Sequence, residues 1–183
     1  SFMMLAIFFL YKLYNTTKNW YFLATISGLF IGCSILSKGP VSLYALFLPF
    51  LIAYGFIYKF RGTKERWKAI VLLVVVALIS GGWWNLYVYL FDTRAVAEIT
   101  TQETGRWLNY NVRPFYYYWS FFIQSGLWTI PSFVALLYPY LKDRVSNKKA
   151  YKFTLFWTLA SVFLLSVIPE KKSRYLLPVL IPM

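Results

Sequence analysis

Long apolar runs without any charge constrain this chain more than any other feature of its sequence. Residues 69–91, for example, contain no Lys, Arg, Asp or Glu over 23 consecutive positions. A transmembrane helix needs about 20 such residues to cross the hydrocarbon of a bilayer. The whole chain is 60% hydrophobic and only 14% charged, more apolar surface than a soluble core of this size can bury. We therefore predict an integral membrane protein and exclude a soluble globule, a disordered tail and a disulfide scaffold.

The predicted fold class is all-α, a polytopic transmembrane bundle of about six or seven membrane helices. Gly39 and Pro40 separate two of the runs, because glycine ends helices and proline is tolerated in the first turn of the next one. Both ends of the chain lie in apolar stretches, so we expect truncated terminal helices and residues 1–183 to be part of one transmembrane domain. The predicted spans are residues 2–13, 20–36, 41–58, 69–91, 116–141 and 153–168, with a further start at Tyr175.

The 19 basic residues are divided unequally between alternating loops. By the positive-inside rule, the loops with 12 of them face the cytoplasm and those with seven face outward. Most of the net charge of +13 is thus an orientation signal, which argues against nucleic-acid binding. The cytoplasmic set is Lys12, Lys18, Lys59, Arg61, Lys64, Arg66, Lys68, Lys142, Arg144, Lys148, Lys149 and Lys152; the outward set is Lys38, Arg94, Arg106, Arg113, Lys171, Lys172 and Arg174.

The longest outward loop, residues 92–115, combines a polar segment with an aromatic one. Its first part, residues 93–103, predicts a short amphipathic helix on the membrane surface that ends at Gly105. Two interpretations of the Arg, Trp and Tyr residues that follow stay open. They form an interfacial aromatic belt, or they form a groove in which Arg binds a lipid-linked phosphate and aromatic faces contact a sugar or polyprenyl chain.

Four short motifs occur in order along the chain. They are L-S-K-G-P at 36–40, R-W at 106–107, R-P-F-Y-Y-Y at 113–118 and K-S-R-Y-L-L-P at 172–178. In this order the chain resembles the membrane glycosyltransferases of the GT-C superfamily, specifically the aminoarabinose transferase and protein O-mannosyltransferase-like group. The resemblance covers roughly residues 20–183.

The resemblance implies transfer of a sugar from a polyprenyl-phosphate donor to an acceptor on the extracytoplasmic face. It places the catalytic aspartate in a first outward loop, which we expect upstream of Ser1, so no catalytic residue is assigned and the fragment alone is expected to be inactive. The implied phosphate-binding residues are Lys38, Arg106, Arg113, Lys172, Arg174 and Tyr175, and the implied sugar or lipid groove is Trp107, Tyr116, Tyr117 and Glu103.

Each of these residues also has a simpler interpretation. Lys38 can be a lysine that snorkels to the headgroups from a helix end, and Arg106 can pair with Glu103 three residues earlier. Arg113 can be an ordinary interfacial anchor, and anionic headgroups can neutralise the basic cluster near Lys172. A transporter or flippase for an anionic lipid or lipid-linked glycan is the alternative function, although it would favour ionisable residues near the bilayer midplane.

Partners and cofactors follow from the same considerations. The expected partners are the polyprenyl-phosphate sugar donor, a lipid, glycan or protein acceptor, and membrane lipids, with no nucleic acid. The chain has one Cys and no His, which excludes His-based catalysis and thiolate metal sites; no cofactor is assigned, and a divalent metal stays open. We expect a bacterial inner membrane. Gly28, Gly32 and the Ser80–Gly82 segment are predicted to be helix-packing positions.

Overall fold

In the computed structural model, residues 2–39, 41–60, 62–109, 114–120, 130, 133, 134, 137, 140 and 146–167 are described, and their regular elements are all helical. Within these residues, α2, α4 and α6 are long and apolar enough to cross a membrane. The helices are α1 Phe2–Asn15, α2 Trp20–Lys38, α3 Leu48–Tyr58, α4 Trp67–Phe91, α5 Thr93–Asn109 and α6 Lys148–Val167, with a π-helical turn at Leu43–Phe47 and a 3₁₀ helix at Phe115–Ser120.

The chain folds as two compact units. Unit 1 comprises Ser1–Phe47 and Phe60–Gln102, and unit 2 comprises Leu48–Lys59 and Glu103–Met183. Unit 1 therefore contains α1, α2 and α4, whereas unit 2 contains α3, the 3₁₀ helix and α6.

In unit 1, α1 and α2 form an antiparallel helical hairpin. The buried Ser27 hydroxyl donates a hydrogen bond of 2.9 Å to the carbonyl of Ala6, and the rings of Phe2 and Phe30 stack with 6.2 Å between centroids. Residue 2 of α1 thus meets residue 30 of α2, and residue 6 meets residue 27, so the partners in α2 move back as α1 advances. In the turn between the helices, Asn19 has a left-handed backbone with φ of 59°, a conformation that Asn tolerates better than most residues.

Small residues allow α2 to pack closely against α4. A Cβ built on Gly28 would lie 2.7 Å from the carbonyl oxygen of Leu73, and one on Gly32 would lie 2.9 Å from the backbone nitrogen of Gly81. The sequence prediction of helix packing is therefore confirmed at these glycines, whereas a Cβ at Gly82 would meet nothing within 4 Å. Gly28 meets Leu73, and Gly32, which is further along α2, meets Gly81, which is further along α4. The two helices are therefore parallel. This agrees with the alternating orientation expected from the charges.

The predicted span 41–58 is not one regular α-helix. It contains the π-helical turn Leu43–Phe47 before α3 begins at Leu48. Pro49 explains the irregularity, because proline has no N–H to donate to the carbonyl four residues earlier and its ring crowds that carbonyl. A wider turn ahead of the proline relieves this conflict. The segment Leu43–Tyr58 consequently counts among the shorter apolar helices.

In unit 2, aromatic rings join α3 to α6. The ring of Phe50 contacts Trp157 at 5.3 Å and Phe153 at 5.8 Å, both edge to face, and Tyr54 contacts Phe153 at 6.3 Å. Tyr58, further along α3, also meets Phe153. Edge-to-face pairs of this kind are favourable beyond the area they bury. The pairing runs antiparallel and leaves Phe50, Phe153 and Trp157 buried.

The end of helix α5 differs from the predicted one. The helix begins at Thr93, as predicted, but continues through Gly105 to Asn109. Glycine costs a helix interior only about 1 kcal/mol relative to alanine and ends a helix reliably only where its φ is positive. Gly105 is not among the glycines with positive φ, which in the described residues are Gly39 and Gly62.

Candidate functional site

Lys38 is the last residue of α2, at a helix end that several bonds fix. Gly39 has φ of 66° and its N–H donates 2.8 Å to the carbonyl of Ile35. The hydroxyl of Ser42 donates to the Gly39 carbonyl at 3.3 Å and accepts from the Ser34 hydroxyl at 2.9 Å. The predicted end of the helix before Pro40 is confirmed. The side chain of Lys38 lies outside the described residues.

The same end of unit 1 carries a group of exposed aromatic rings on α4. Because α2 and α4 are parallel and Gly32 faces Gly81, the end of α2 lies at about the level of residues 86 and 87 of α4. There the rings of Trp84 and Tyr87 stack at 5.9 Å, and Tyr87 meets Phe91 at 4.7 Å. Each of these three rings is at least half exposed. We call Trp83, Trp84, Tyr87 and Phe91 the α4 aromatic cluster.

The α4 aromatic cluster is not among the site residues predicted from the sequence. The signal was available, because Trp84, Tyr87 and Phe91 are spaced by three and four residues, the spacing of neighbours on one face of a helix. Within a span, such a spacing usually indicates a core-facing stripe, and only the structure shows that these rings are exposed.

Glu103, Arg106 and Trp107 belong to α5, the helix that follows α4. Their spacing of three and four residues places them on one helical face. Arg94 lies nine residues before Glu103, which is two and a half turns, and therefore falls on the opposite face. The side chains of Glu103, Arg106 and Trp107 lie outside the described residues, so their placement here is a backbone placement.

The three tyrosines that follow Pro114 lie on the 3₁₀ helix and differ in exposure. Tyr118 is fully buried, Tyr117 is half-buried and Tyr116 is 72% exposed. With three residues per turn, Phe115 and Tyr118 lie on one side, and Phe115 contacts Phe163 of α6 with 6.1 Å between ring centroids. Tyr116 thus lies at the surface, and Tyr118 has a packing role.

The remaining predicted site residues, Arg113, Lys172, Arg174 and Tyr175, lie outside the described residues, as does most of the predicted span 116–141. Lys38 belongs to unit 1 and the other candidate residues belong to unit 2. Among the residues that the structure describes, no group of three or more Cys, Asp or Glu side chains could hold a metal ion.

Arg66 has a role that its loop position did not predict. It was counted among the cytoplasmic charges, yet its side chain is 92% buried, with relative exposure of 8%. Its Nη1 donates 2.7 Å to the carbonyl of Tyr14, and its guanidinium lies 5.0 Å from the ring centroid of Trp20. This is a cation–π contact in addition to a charge-assisted hydrogen bond. Gly62, with φ of 82°, leaves the space that a Cβ would take from the guanidinium.

Comparisons with known protein families, curated proteins and solved structures give no match for this chain. The motif resemblance therefore stands by itself.

Proposed function

We propose that the protein is a membrane glycosyltransferase that uses a polyprenyl-phosphate sugar donor and acts on the extracytoplasmic face. The observation that carries the proposal is the combination of Lys38 and the α4 aromatic cluster at one end of unit 1. A lipid-linked sugar phosphate presents an anion between a sugar and an apolar chain. A lysine at the end of α2, at the level of exposed aromatic rings on α4, supplies the residue types that match those three chemical features.

The chemistry assigns the cations a defined task. When the glycosidic bond to the donor breaks, the leaving polyprenyl phosphate gains negative charge. Fixed cations stabilise that charge more in the transition state than in the ground state, which lowers the barrier. We assign this role to Lys38 and Arg106, with Arg113, Lys172, Arg174 and Tyr175 as further phosphate ligands.

The sugar and lipid groove is assigned to the aromatic and acidic residues near the same motifs. These are Trp107, Tyr116, Tyr117 and Glu103, and the exposure of Tyr116 supports its inclusion. The acceptor in this proposal is a lipid, a glycan or a protein. The proposal also keeps the count of six or seven spans and the bacterial inner membrane as the location.

A transporter of the same lipid is less well supported. Transporters place ionisable residues near the bilayer midplane. In the described apolar helices α1, α2, α3, α4 and α6, each charged residue falls within the first five or last four positions. This distribution favours a site at the membrane surface.

The test uses the full-length protein reconstituted in liposomes. Release of polyprenyl phosphate from a lipid-linked sugar is measured for the wild type, Lys38→Ala and Arg106→Ala. Losing one preorganised charge-stabilising group typically lowers kcat by about 10²-fold or more, and we expect that loss in both variants. A flippase would move the lipid without releasing free polyprenyl phosphate.

Arg94→Ala is the matched control, since Arg94 lies on the same helix as Arg106 but 12 residues earlier and about 120° away around the helix axis. We expect its rate to equal that of the wild type. Unchanged donor consumption in both Lys38→Ala and Arg106→Ala would show that the site is wrongly assigned. An equal loss in Arg94→Ala would show that the effect is general electrostatics and not phosphate contact.

A further inference from the structure

The end of unit 1 opposite Lys38 carries a basic surface built from two separate loops. The hydrogen bond from Arg66 to Tyr14 and the contact of Arg66 with Trp20 bring the loop before α4 against the turn between α1 and α2. These residues are 52 and 46 positions apart in sequence. Arg66 therefore holds the two loops together at this end of unit 1.

Four lysines are exposed at this end. Lys12 and Lys18 flank the turn between α1 and α2, and Lys64 and Lys68 flank Arg66. Glu65 is the acidic residue of the two loops. We call Lys12, Lys18, Lys64 and Lys68 the basic surface.

Apolar and aromatic groups lie beside these charges. An open depression of about 450 Å³ is lined by Thr17, Asn19, Trp20, Tyr21 and Phe22, directly next to Lys18 in the sequence. On the other loop, Trp67 is 57% exposed and the Lys68 ammonium lies 5.9 Å from its ring centroid. Trp and Tyr rings at such positions occupy the headgroup layer of a bilayer.

The geometry points to a binding site for anionic phospholipid headgroups at the basic surface, with the depression receiving the glycerol and upper chain region of the lipid. The lysines supply the charge that a phosphodiester headgroup needs. Basic clusters next to membrane helices attract anionic lipids with roughly 1 kcal/mol per residue, or about fivefold in affinity. The start of α2, where Asn19 makes no side-chain cap, adds the positive end of a helix dipole.

This site is independent of the proposed sugar transfer, because it lies at the other end of α2 and α4 from Lys38. In this proposal, Arg66 has a positioning role. The guanidinium is buried and does not meet the headgroup itself; it positions Lys18 and Lys64 on one surface.

The experiment measures lipid binding by the detergent-solubilised full-length protein with native mass spectrometry. Phosphatidylglycerol, phosphatidylcholine and inorganic phosphate are titrated separately. We expect phosphatidylglycerol to bind more tightly than phosphatidylcholine. In the double variant Lys18→Gln/Lys64→Gln, its affinity should fall about 25-fold, from about fivefold for each lysine, and the preference over phosphatidylcholine should largely disappear.

Arg94→Gln is the control for the loss of an exposed cation elsewhere in unit 1, and we expect it to keep wild-type affinity. Both lysines are exposed, so the double variant should also keep the wild-type unfolding temperature, which separates lost binding from lost structure. Wild-type phosphatidylglycerol affinity in the double variant would overturn the proposal. So would equal binding of phosphatidylcholine, or displacement of the lipid by millimolar inorganic phosphate, which would indicate a site for free anions.

Discussion

Replacing Gly32 with alanine tests the closest contact between α2 and α4. The added methyl group would lie 2.7 Å from the Cβ of Ser80 and 2.9 Å from the backbone nitrogen of Gly81, and it would also collide with the Ser80 hydroxyl. The hydroxyl can rotate away, but the Cβ and the backbone cannot. Carbon atoms pack at about 3.5–4.0 Å, so the two helices must separate locally by roughly 0.8–1.3 Å.

The free-energy change follows from this geometry. Inserting a methyl group into a packed contact typically costs about 1–3 kcal/mol, whereas Gly to Ala in a helix interior by itself gains about 0.5–1 kcal/mol. Gly82→Ala has the same intrinsic gain, but its Cβ would meet nothing within 4 Å. The difference between the two variants therefore isolates packing and should be about 1–3 kcal/mol.

Thermal unfolding of the detergent-solubilised protein, followed by the fluorescence of its eight tryptophans, measures this difference. At about 2–4 °C per kcal/mol for a chain of this size, Gly32→Ala should unfold roughly 2–12 °C below Gly82→Ala. A Gly32→Ala variant that unfolds at or above the temperature of Gly82→Ala would refute the proposed close packing of α2 and α4.

A second substitution checks that the contact partner is correct. Ser80→Gly removes the side chain that the new methyl group would meet, but the backbone nitrogen of Gly81 stays 2.9 Å away. We therefore expect Gly32→Ala/Ser80→Gly to recover part of the loss, with a favourable coupling energy of about 1 kcal/mol in a double-mutant cycle. Additive effects would mean that the two residues are not in contact.

Three further substitutions test other contacts by the same unfolding assay. Arg66→Gln should lower the free energy of unfolding by about 2 kcal/mol because it removes a charge-assisted hydrogen bond and a cation–π contact. The control Lys64→Gln changes an exposed neighbour and should alter stability by less than about 0.5 kcal/mol. Equal effects of the two substitutions would contradict the contacts of Arg66 with Tyr14 and Trp20. Trp157→Ala should cost about 3–5 kcal/mol from the aromatic core of unit 2, and the half-exposed Leu159→Ala clearly less. Ser27→Ala should cost about 1 kcal/mol because it removes the buried interhelical hydrogen bond to the Ala6 carbonyl; unchanged stability would contradict this bond.

Apolar run length was sufficient to predict most of the helices. The predicted spans 20–36, 69–91 and 153–168 correspond to α2, α4 and α6, whose bounds are Trp20–Lys38, Trp67–Phe91 and Lys148–Val167. The largest shift is at the start of α6, where helix continues into lysine-rich sequence. Charge ends a hydrophobic run but does not end a helix, because lysine is a good helix former.

Features that depend on backbone geometry or on distant partners could not be predicted. The π-helical turn depends on how the backbone before Pro49 adjusts to the hydrogen bond that this proline cannot donate. The burial of Arg66 depends on Tyr14, which is 52 residues away in sequence, and a count of loop charges treats every cation next to a span alike.

The candidate site was predicted only in part. Lys38 at a helix end followed from the Gly-Pro pair, since both residues have strong local preferences. The α4 aromatic cluster did not, because exposure of one face of a span depends on which other helices cover it. Helical continuity through Gly105 was also missed, although it is what places Glu103 and Arg106 on a common face.

The parallel pair of α2 and α4 joins helices of different length, and this has a consequence for the surrounding bilayer. With 19 and 25 residues, they are about 28 and 37 Å long at 1.5 Å per residue, whereas the hydrocarbon layer is about 30 Å thick. Helix α2 matches that layer, and α4 exceeds it unless both tilt together. We therefore expect the Trp83 and Trp84 indoles, which lie near the overhanging end, to meet less water as the lipid chains lengthen, and their emission to shift to the blue.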